Sequence, residues 1–208
     1  MAKKIIIFDF DGTIADSKKI WTSSIKQALD RHRYFFDIKK IEENLGPKLK
    51  VTFHNLKVND SHDKIRHEVH EQVMKKLHKI KSCPNIKEIL KYFRKNKKFK
   101  VDLMTNSPRR IIIPLLKKIR ILNFFDDIYC AEDFDTKEEK IRSIANRMKI
   151  KVKDIVYIGD KTHDIIVGKK AKCTFFIILN CSWDKEILKK RKDKFILKEI
   201  KQLKTAIN

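Results

Sequence analysis

The first apolar run of the chain, Ile5-Ile6-Ile7-Phe8, leads straight into Asp9-Phe10-Asp11-Gly12-Thr13. In an extended chain, residues two apart point to the same side, roughly 6.5 to 7 Å from each other. Asp9 and Asp11 can therefore flank one reacting group, one carboxylate attacking while the other handles a proton. Burying one unpaired carboxylate costs several kcal/mol, and a second like charge beside it adds to the cost. The pair needs compensating partners. Gly12 admits backbone conformations that other residues resist, which suits a tight loop leaving a strand end.

The partners must be carried by other elements, and polar groups gather where other apolar runs stop. Phe99 to Met104 runs into Thr105-Asn106-Ser107-Pro108, and Asp154 to Ile158 runs into Gly159-Asp160-Lys161-Thr162-His163-Asp164. Two further runs, Asp127 to Cys130 and Thr174 to Leu179, read as strands of the same kind. Between them lie helical patterns. Ile86, Ile89, Leu90 and Phe93 share one face, as do Ile141, Ile144, Ala145 and Met148, and Ile111 to Ile119 continues after Ser107-Pro108. This alternation predicts a doubly wound α/β fold, a parallel sheet covered by helices on both sides, with ligands at the carboxyl ends of its strands.

From Ser17 to Cys83 no strand is predicted, and helical patterns follow one another, among them Ile20 to Leu29 and Ile65 to Ile80, with a turn at Gly46-Pro47. The expected organisation is a core of residues 1–16 and 84–208 and an inserted all-helical cap of residues 17–83, placed to overhang the end of the first strand as a lid. Helix starts also bear on the site. Thr136-Lys137-Glu138-Glu139 reads as a capping box with Lys137 at the head of a helix. Ser107 reads as the N-cap of a helix whose first residue is Pro108, and Asp164 reads equally as a cap of the Ile165 to Ala171 helix.

The D-x-D-G-T run at Asp9, the strand ending in Thr105, a lysine, and G-D-x-x-x-D from Gly159 to Asp164 occur in that order across nearly the whole chain. In this the sequence resembles the haloacid dehalogenase (HAD) superfamily, most closely its phosphoglycolate phosphatase-like members with a helical cap. The resemblance implies Asp9 as nucleophile and Asp11 as general acid and base. It implies Mg²⁺ held by Asp9, Asp160, Asp164 and Asp11, the last through its backbone carbonyl. It gives the substrate phosphate to Thr105, Asn106 and Lys137, with Lys137 preferred over Lys140 on its distance to the following strand.

The implied activity is hydrolysis of a small phosphate monoester through an aspartyl-phosphate. The alternatives are a sugar phosphomutase, in which relatives tend to carry valine at the Thr13 position, and a nucleotide or nucleic-acid-end phosphatase. Three residues depart from the family pattern: Glu138 where proline often follows the lysine, Lys172 where a glycine often follows the helix, and His163 at a variable position.

The composition is compatible with this reading. A chain of 208 residues with 42% apolar content can bury a core. The formal net charge of +23 would attract nucleic acid or phosphorylated substrates, but the lysines spread over the whole chain and no aromatic-interleaved basic block stands out. A small phosphorylated metabolite is the expected partner, with no membrane partner and with nucleic acid allowed by the charge but not favoured. Cys83, Cys130, Cys173 and Cys181 are widely spaced without a C-x-x-C pair, which indicates neither a zinc site nor a disulfide framework and suits the cytoplasm. The first apolar run is too short for a signal peptide, and Pro114, Lys117, Lys118 and Arg120 break up the Ile111 to Phe125 stretch. His67 and His70 are expected on a solvated helix face, and Phe35-Phe36 and Phe124-Phe125 in the core.

Overall fold

The computed structural model describes residues 4–59 and 62–207. Its centre is β1 (Lys4–Phe8), whose side chains alternate between the two faces of a sheet. Ile6 and Phe8 join one apolar cluster, and Ile5 and Ile7 join another. Because both faces are buried, the strand reads as a continuous apolar run instead of an alternating one.

On one side β1 pairs with β4 (Phe99–Met104), which pairs with β5 (Asp127–Tyr129). On the other side it pairs with β6 (Ile155–Gly159), then β7 (Thr174–Ile178), then β8 (Ile196–Leu197). All these pairings are parallel, and the order is β5-β4-β1-β6-β7-β8. After β5 the chain crosses to the far side of β1, so the carboxyl ends of β1, β4 and β6 meet where the winding direction reverses. That crevice is where open α/β sheets bind ligands.

Helix α5 (Ile86–Lys95) and helix α6 (Arg109–Lys118) cover the Phe8 face. Helix α7 (Lys137–Met148) and helix α8 (Thr162–Ala171) cover the Ile7 face. Helices α1 (Lys18–Arg31), α2 (Ile38–Glu43), α3 (Leu49–Asn55) and α4 (His62–Lys76) lie between the first and second sheet strands and form their own apolar cluster, which includes Trp21, Ile25, Phe53 and Val69. The fold is a doubly wound α/β core carrying a helical insertion.

Several boundaries differ from the sequence expectation. The 17–83 stretch does hold a strand: β3 (Lys81–Ser82) pairs antiparallel with β2 (Ala15–Asp16). Each is only two residues long, too short to show a hydrophobic period. The short strand β8 was missed for the same reason. Phe35 is not core but 77% exposed, while Phe125 is buried as expected. Lys172 closes α8 in the left-handed region at φ 61°, the conformation for which a glycine would be the unstrained choice.

Candidate functional site

Asp9 is the first residue past β1, and its N–H donates to the Ile158 carbonyl at 2.8 Å, so the sheet ladder itself fixes its position. Asp160 follows β6 in the same way. Carboxylate oxygens of Asp9, Asp160 and Asp164 lie within 4.8 Å of one another, and all three residues are buried. Lys137, at the head of α7, places its Nζ 2.8 Å from Asp9 Oδ1 and 3.6 Å from Asp164 Oδ1. It also donates to the Tyr157 hydroxyl at 2.8 Å, and that hydroxyl donates to Asp164 Oδ1 at 2.6 Å. Lys140 turns away, donating to the Asp133 carbonyl and lying over the Tyr129 ring.

Asp164 serves two purposes. Its Oδ2 accepts from the backbone N–H groups of Asp160 and Lys161 at 3.1 and 3.0 Å, capping α8, while Oδ1 faces Lys137 and Tyr157. Burial pushes its pKa up, but Lys137, the Tyr157 hydroxyl and the two N–H groups together hold it below the ordinary carboxylate value. Asp160 has less support. Burial, then the charges of Asp164 and Asp9, push it well above its ordinary value against the Trp183 N–H, which donates to its Oδ2 at 2.8 Å, and the charge of Lys161. Asp160 Oδ1 is buried with no hydrogen-bond partner among the described residues.

An orphaned carboxylate oxygen beside two further carboxylates is a donor set suited to a hard divalent cation with oxygen ligands. The surrounding backbone leaves no slack. A Cβ on Gly12, which sits at φ +84°, would fall 2.2 Å from Asp160 Oδ2, and one on Gly159 would fall 2.4 Å from Asp164 Cγ.

The Asp11 carboxylate stands apart from this cluster. Its Oδ1 accepts from the Ser17 hydroxyl at 2.5 Å and from Trp21 Nε1 at 2.9 Å, and its Oδ2 accepts from the Ser107 hydroxyl at 2.8 Å. Burial raises its pKa against these three hydrogen bonds. For Asp9, burial outweighs the nearby Lys137 and brings the pKa up to about 7. Both carboxylates border a cleft of about 800 Å³ between the sheet end and the helical insertion, with Lys137, Asn106 and Asp164 also on its wall.

The matching family model is that of the haloacid dehalogenase-like hydrolases, over residues 6–178. The chain belongs to this family. Pyrophosphatase PpaX of Bacillus thuringiensis (strain Al Hakam) is 25% identical over 178 residues, covering 80% of this chain and 78% of that one. A candidate phosphatase from Clostridium difficile aligns over 100% of both chains with a TM-score of 0.73 and 25% identity. A candidate haloacid dehalogenase-like hydrolase from Bacteroides fragilis aligns over 97% of this chain and 99% of its own, with a TM-score of 0.83 at 22% identity, a likeness of fold.

Within this haloacid dehalogenase-like frame, Asp9, Lys137, Asp160 and Asp164 come together and Asp11 sits beside them at the cleft. Thr105 is fully buried below the cleft, where its Oγ accepts from the Ser107 N–H at 3.0 Å. Asn106 reaches the cleft but donates its Nδ2 to the Gly46 carbonyl at 2.8 Å. The Ser107 expectation is corrected. The α6 helix begins at Arg109 with Pro108 as its N-cap; the Ser107 hydroxyl donates to Asp11 Oδ2 at 2.8 Å, and the Arg109 N–H at the start of the helix donates to the Glu132 carboxylate instead of to Ser107.

His67 is exposed, as expected, at the edge of the cleft, whereas His70 is half-buried there, edge-on to Trp21. His163 borders it too. Trp21, Ser17, Tyr157 and Lys161 were not singled out in the sequence. The signal for Tyr157 was available: it lies two residues before Gly159 in a strand, a large polar-tipped residue in a run that is otherwise apolar. No helix among the described residues is long and apolar enough to cross a membrane.

Proposed function

We propose that the chain is a Mg²⁺-dependent phosphatase that hydrolyses a small phosphate monoester through an aspartyl-phosphate on Asp9, with residues 17–83 acting as a cap over a core of 1–16 and 84–208. The observation that carries this reading is the split between two neighbouring carboxylates. Asp9 faces Lys137 and the acidic cluster, whereas Asp11 is held by hydroxyl and indole donors away from it. Two carboxylates in different environments are what separate nucleophile and acid roles require.

Phosphate monoester hydrolysis is among the slowest uncatalysed reactions, with accelerations up to ~10²¹. An Asp9 oxygen forms the new bond to phosphorus as the ester O–P bond breaks. The Asp11 proton passes to the departing alcohol oxygen, and the raised pKa of Asp11 favours the protonated form that this step needs. In the second half Asp11, now a carboxylate, takes a proton from water as the water oxygen attacks phosphorus. Inorganic phosphate leaves and Asp9 is regenerated. Mg²⁺ bound by Asp9, Asp160 and Asp164, with the Asp11 carbonyl, would supply positive charge to the phosphoryl oxygens and to the carboxylates. Lys137 balances charge on Asp9 and Asp164 from the other side.

A phosphoanhydride such as pyrophosphate is a second reading. It is favoured by the PpaX relatives and by Lys48, Lys50, Arg66 and Arg110, which also line the cleft. A panel of aryl, sugar, nucleotide and carboxylic-acid phosphate esters together with pyrophosphate, each assayed with Mg²⁺ and with EDTA, tests both. Phosphate release with Mg²⁺ and none with EDTA is expected. Turnover of pyrophosphate alone moves the assignment to the second reading, and failure to turn over any member overturns both.

A further inference from the structure

Tyr157 is fully buried in β6, where it packs with Ile5, Ile7, Ile141 and Ile144. A phenylalanine would fill such a place, and a buried hydroxyl costs free energy unless it is hydrogen-bonded. This hydroxyl is bonded twice, to residues on two different helices: it accepts from Lys137 Nζ at 2.8 Å and donates to Asp164 Oδ1 at 2.6 Å. Chemistry fixes the direction. An ammonium only donates, so the hydroxyl must accept from Lys137, and its own proton is left for the carboxylate. Lys137 Nζ lies 2.8 Å from Asp9 Oδ1 but 3.6 Å from Asp164 Oδ1, and the Tyr157 oxygen bridges this second, longer gap. Asp164 is anchored on its other side, where Oδ2 accepts from the Asp160 and Lys161 N–H groups. A line of contacts thus runs from the backbone after β6 through Asp164, Tyr157 and Lys137 to Asp9 after β1. A lysine is a flexible four-carbon stem ending in a point charge, and a fixed acceptor is what aims it.

We propose that Tyr157 is a positioning residue: its hydroxyl, set between Lys137 and Asp164, keeps the Lys137 ammonium on Asp9 and stops it from closing on Asp164. Remove the oxygen but keep the ring, and Nζ loses an acceptor while Asp164 Oδ1 loses a donor. These two deprived groups carry opposite charges and already face each other at 3.6 Å. Leaving either one short of a partner in a buried site costs more than bringing them together. The ammonium therefore moves toward Asp164 and away from Asp9, and the attacking carboxylate loses the positive charge beside it. The effect on turnover rests on the role proposed above for Asp9; the movement of the ammonium does not.

Tyr157→Phe in the full-length chain tests this, because the ring still fills the apolar cluster. Metal-free crystal structures of the wild type and the variant are compared. In the variant, Lys137 Nζ is expected about 2.7 to 2.9 Å from Asp164 Oδ1, the length of a direct charged hydrogen bond, and farther from Asp9 than in the wild type. With Mg²⁺ and an activated aryl phosphate, kcat is expected to fall about tenfold, with a smaller change in KM, on the scale by which small displacements of a group slow turnover. The same substitution made in Lys137→Met should lower kcat by less than about a further twofold, because a residue that acts only through the ammonium then has nothing left to position. A packing defect would instead multiply the two losses. An unmoved ammonium, a wild-type kcat, multiplied losses, or a Tyr157→Phe chain that no longer folds each overturns the proposal. A wild type that hydrolysed no phosphate ester would sink the proposed function, while the pair of crystal structures would still decide whether Tyr157 holds Lys137 in place.

Discussion

The ammonium of Lys137 stands 2.8 Å from Asp9 Oδ1, and both groups are almost wholly withdrawn from water. Burial alone pushes Asp9 up, and Lys137 is the largest influence opposing it, leaving the group at about 7. Without the lysine, Asp9 titrates higher and the attacking carboxylate is more often protonated near neutral pH. Lys137→Met is therefore expected to lower kcat by on the order of 10²-fold or more, as for other preorganised charge partners. The acidic limb of its pH–rate profile should move to higher pH. A variant that kept the wild-type rate and profile would remove Lys137 from the mechanism.

The different surroundings of Asp9 and Asp11 predict different kinetic defects. Asp9→Asn keeps the shape but removes the nucleophile, and turnover of every ester should vanish. Asp11→Asn keeps an acceptor for Ser17, Trp21 or Ser107 but cannot donate a proton to the leaving oxygen as an acid does. Its loss should be about 10² to 10⁴-fold for alkyl phosphates, the usual worth of general acid catalysis, and much smaller for a nitrophenyl ester, whose oxygen leaves without protonation. Equal losses on both substrates, measured as kcat, would contradict the acid role of Asp11.

Most of this site was legible because its residues sit at predictable places: just past a strand, or at the first turn of a helix. Asp9, Asp160 and Lys137 could be placed together at one end of the sheet from such positions, since strand ends in a parallel sheet converge whatever loops join them, while the roles proposed for them came from the family resemblance. Trp21 could not, because its indole N–H meets Asp11 only when α1 packs back over the β1 loop, and its spacing on the helix marks it simply as apolar. Ser107 was visible but misread, since its sequence neighbours advertise a helix cap and only the fold brings Asp11 within reach.

Asp160 offers the donor chemistry that a divalent cation takes, a buried Oδ1 with no hydrogen-bond partner among the described residues in a carboxylate that burial, Asp164 and Asp9 raise well above its ordinary pKa. Mg²⁺ at a hundred times its Kd should add about 2.7 kcal/mol of stability, a rise in Tm of roughly 5 to 10 °C for a chain of this size. Asp160→Asn relieves like-charge repulsion, so its metal-free Tm should be equal to or above that of the wild type. Its response to Mg²⁺ should be largely lost. A thermal melt of Asp160→Asn that showed the full Mg²⁺ shift would remove this residue from the metal site.

Asp102 makes a prediction about stability that is independent of the chemistry. It lies fully buried in β4, accepting from Lys100 Nζ at 3.0 Å and from the Asp127 N–H at 3.1 Å, and burial outweighs Lys100 to raise its pKa to about 6. A raised carboxyl pKa means that the folded state binds the proton more tightly than the unfolded chain does. The contribution of Asp102 to stability is therefore fully present below the unfolded value of 3.8 and is lost as pH rises through about 6. Asp102→Asn should stabilise the protein relative to wild type at pH 8 by about 1 to 3 kcal/mol, since each pKa unit is worth 1.36 kcal/mol. The advantage should shrink toward pH 4. Denaturant unfolding at the two pH values measures it, and a pH-independent difference would refute the account.

Two donors at the sheet end hold consecutive carbonyls of the helical insertion. Lys161 Nζ donates to the Leu45 carbonyl, and Asn106 Nδ2 donates to the Gly46 carbonyl at 2.8 Å, each donor being the residue immediately after a proposed ligand, Asp160 or Thr105. Gly46 sits at φ +127°, a conformation that side-chain-bearing residues rarely adopt, so the loop presents its carbonyls at a turn that only glycine takes without strain. Removing the charged donor should cost about 1.5 to 3 kcal/mol of closure, which is roughly 10- to 100-fold in kcat/KM for substrates whose leaving group must touch the insertion. Lys161→Met is expected to raise KM for such esters; because it also removes a positive charge that holds the Asp160 pKa down, kcat for a small activated aryl phosphate should change too, but by less than KM does. An equal loss of kcat/KM on large and small esters would place Lys161 in the shared chemistry of the core instead of in the closing of the insertion over it.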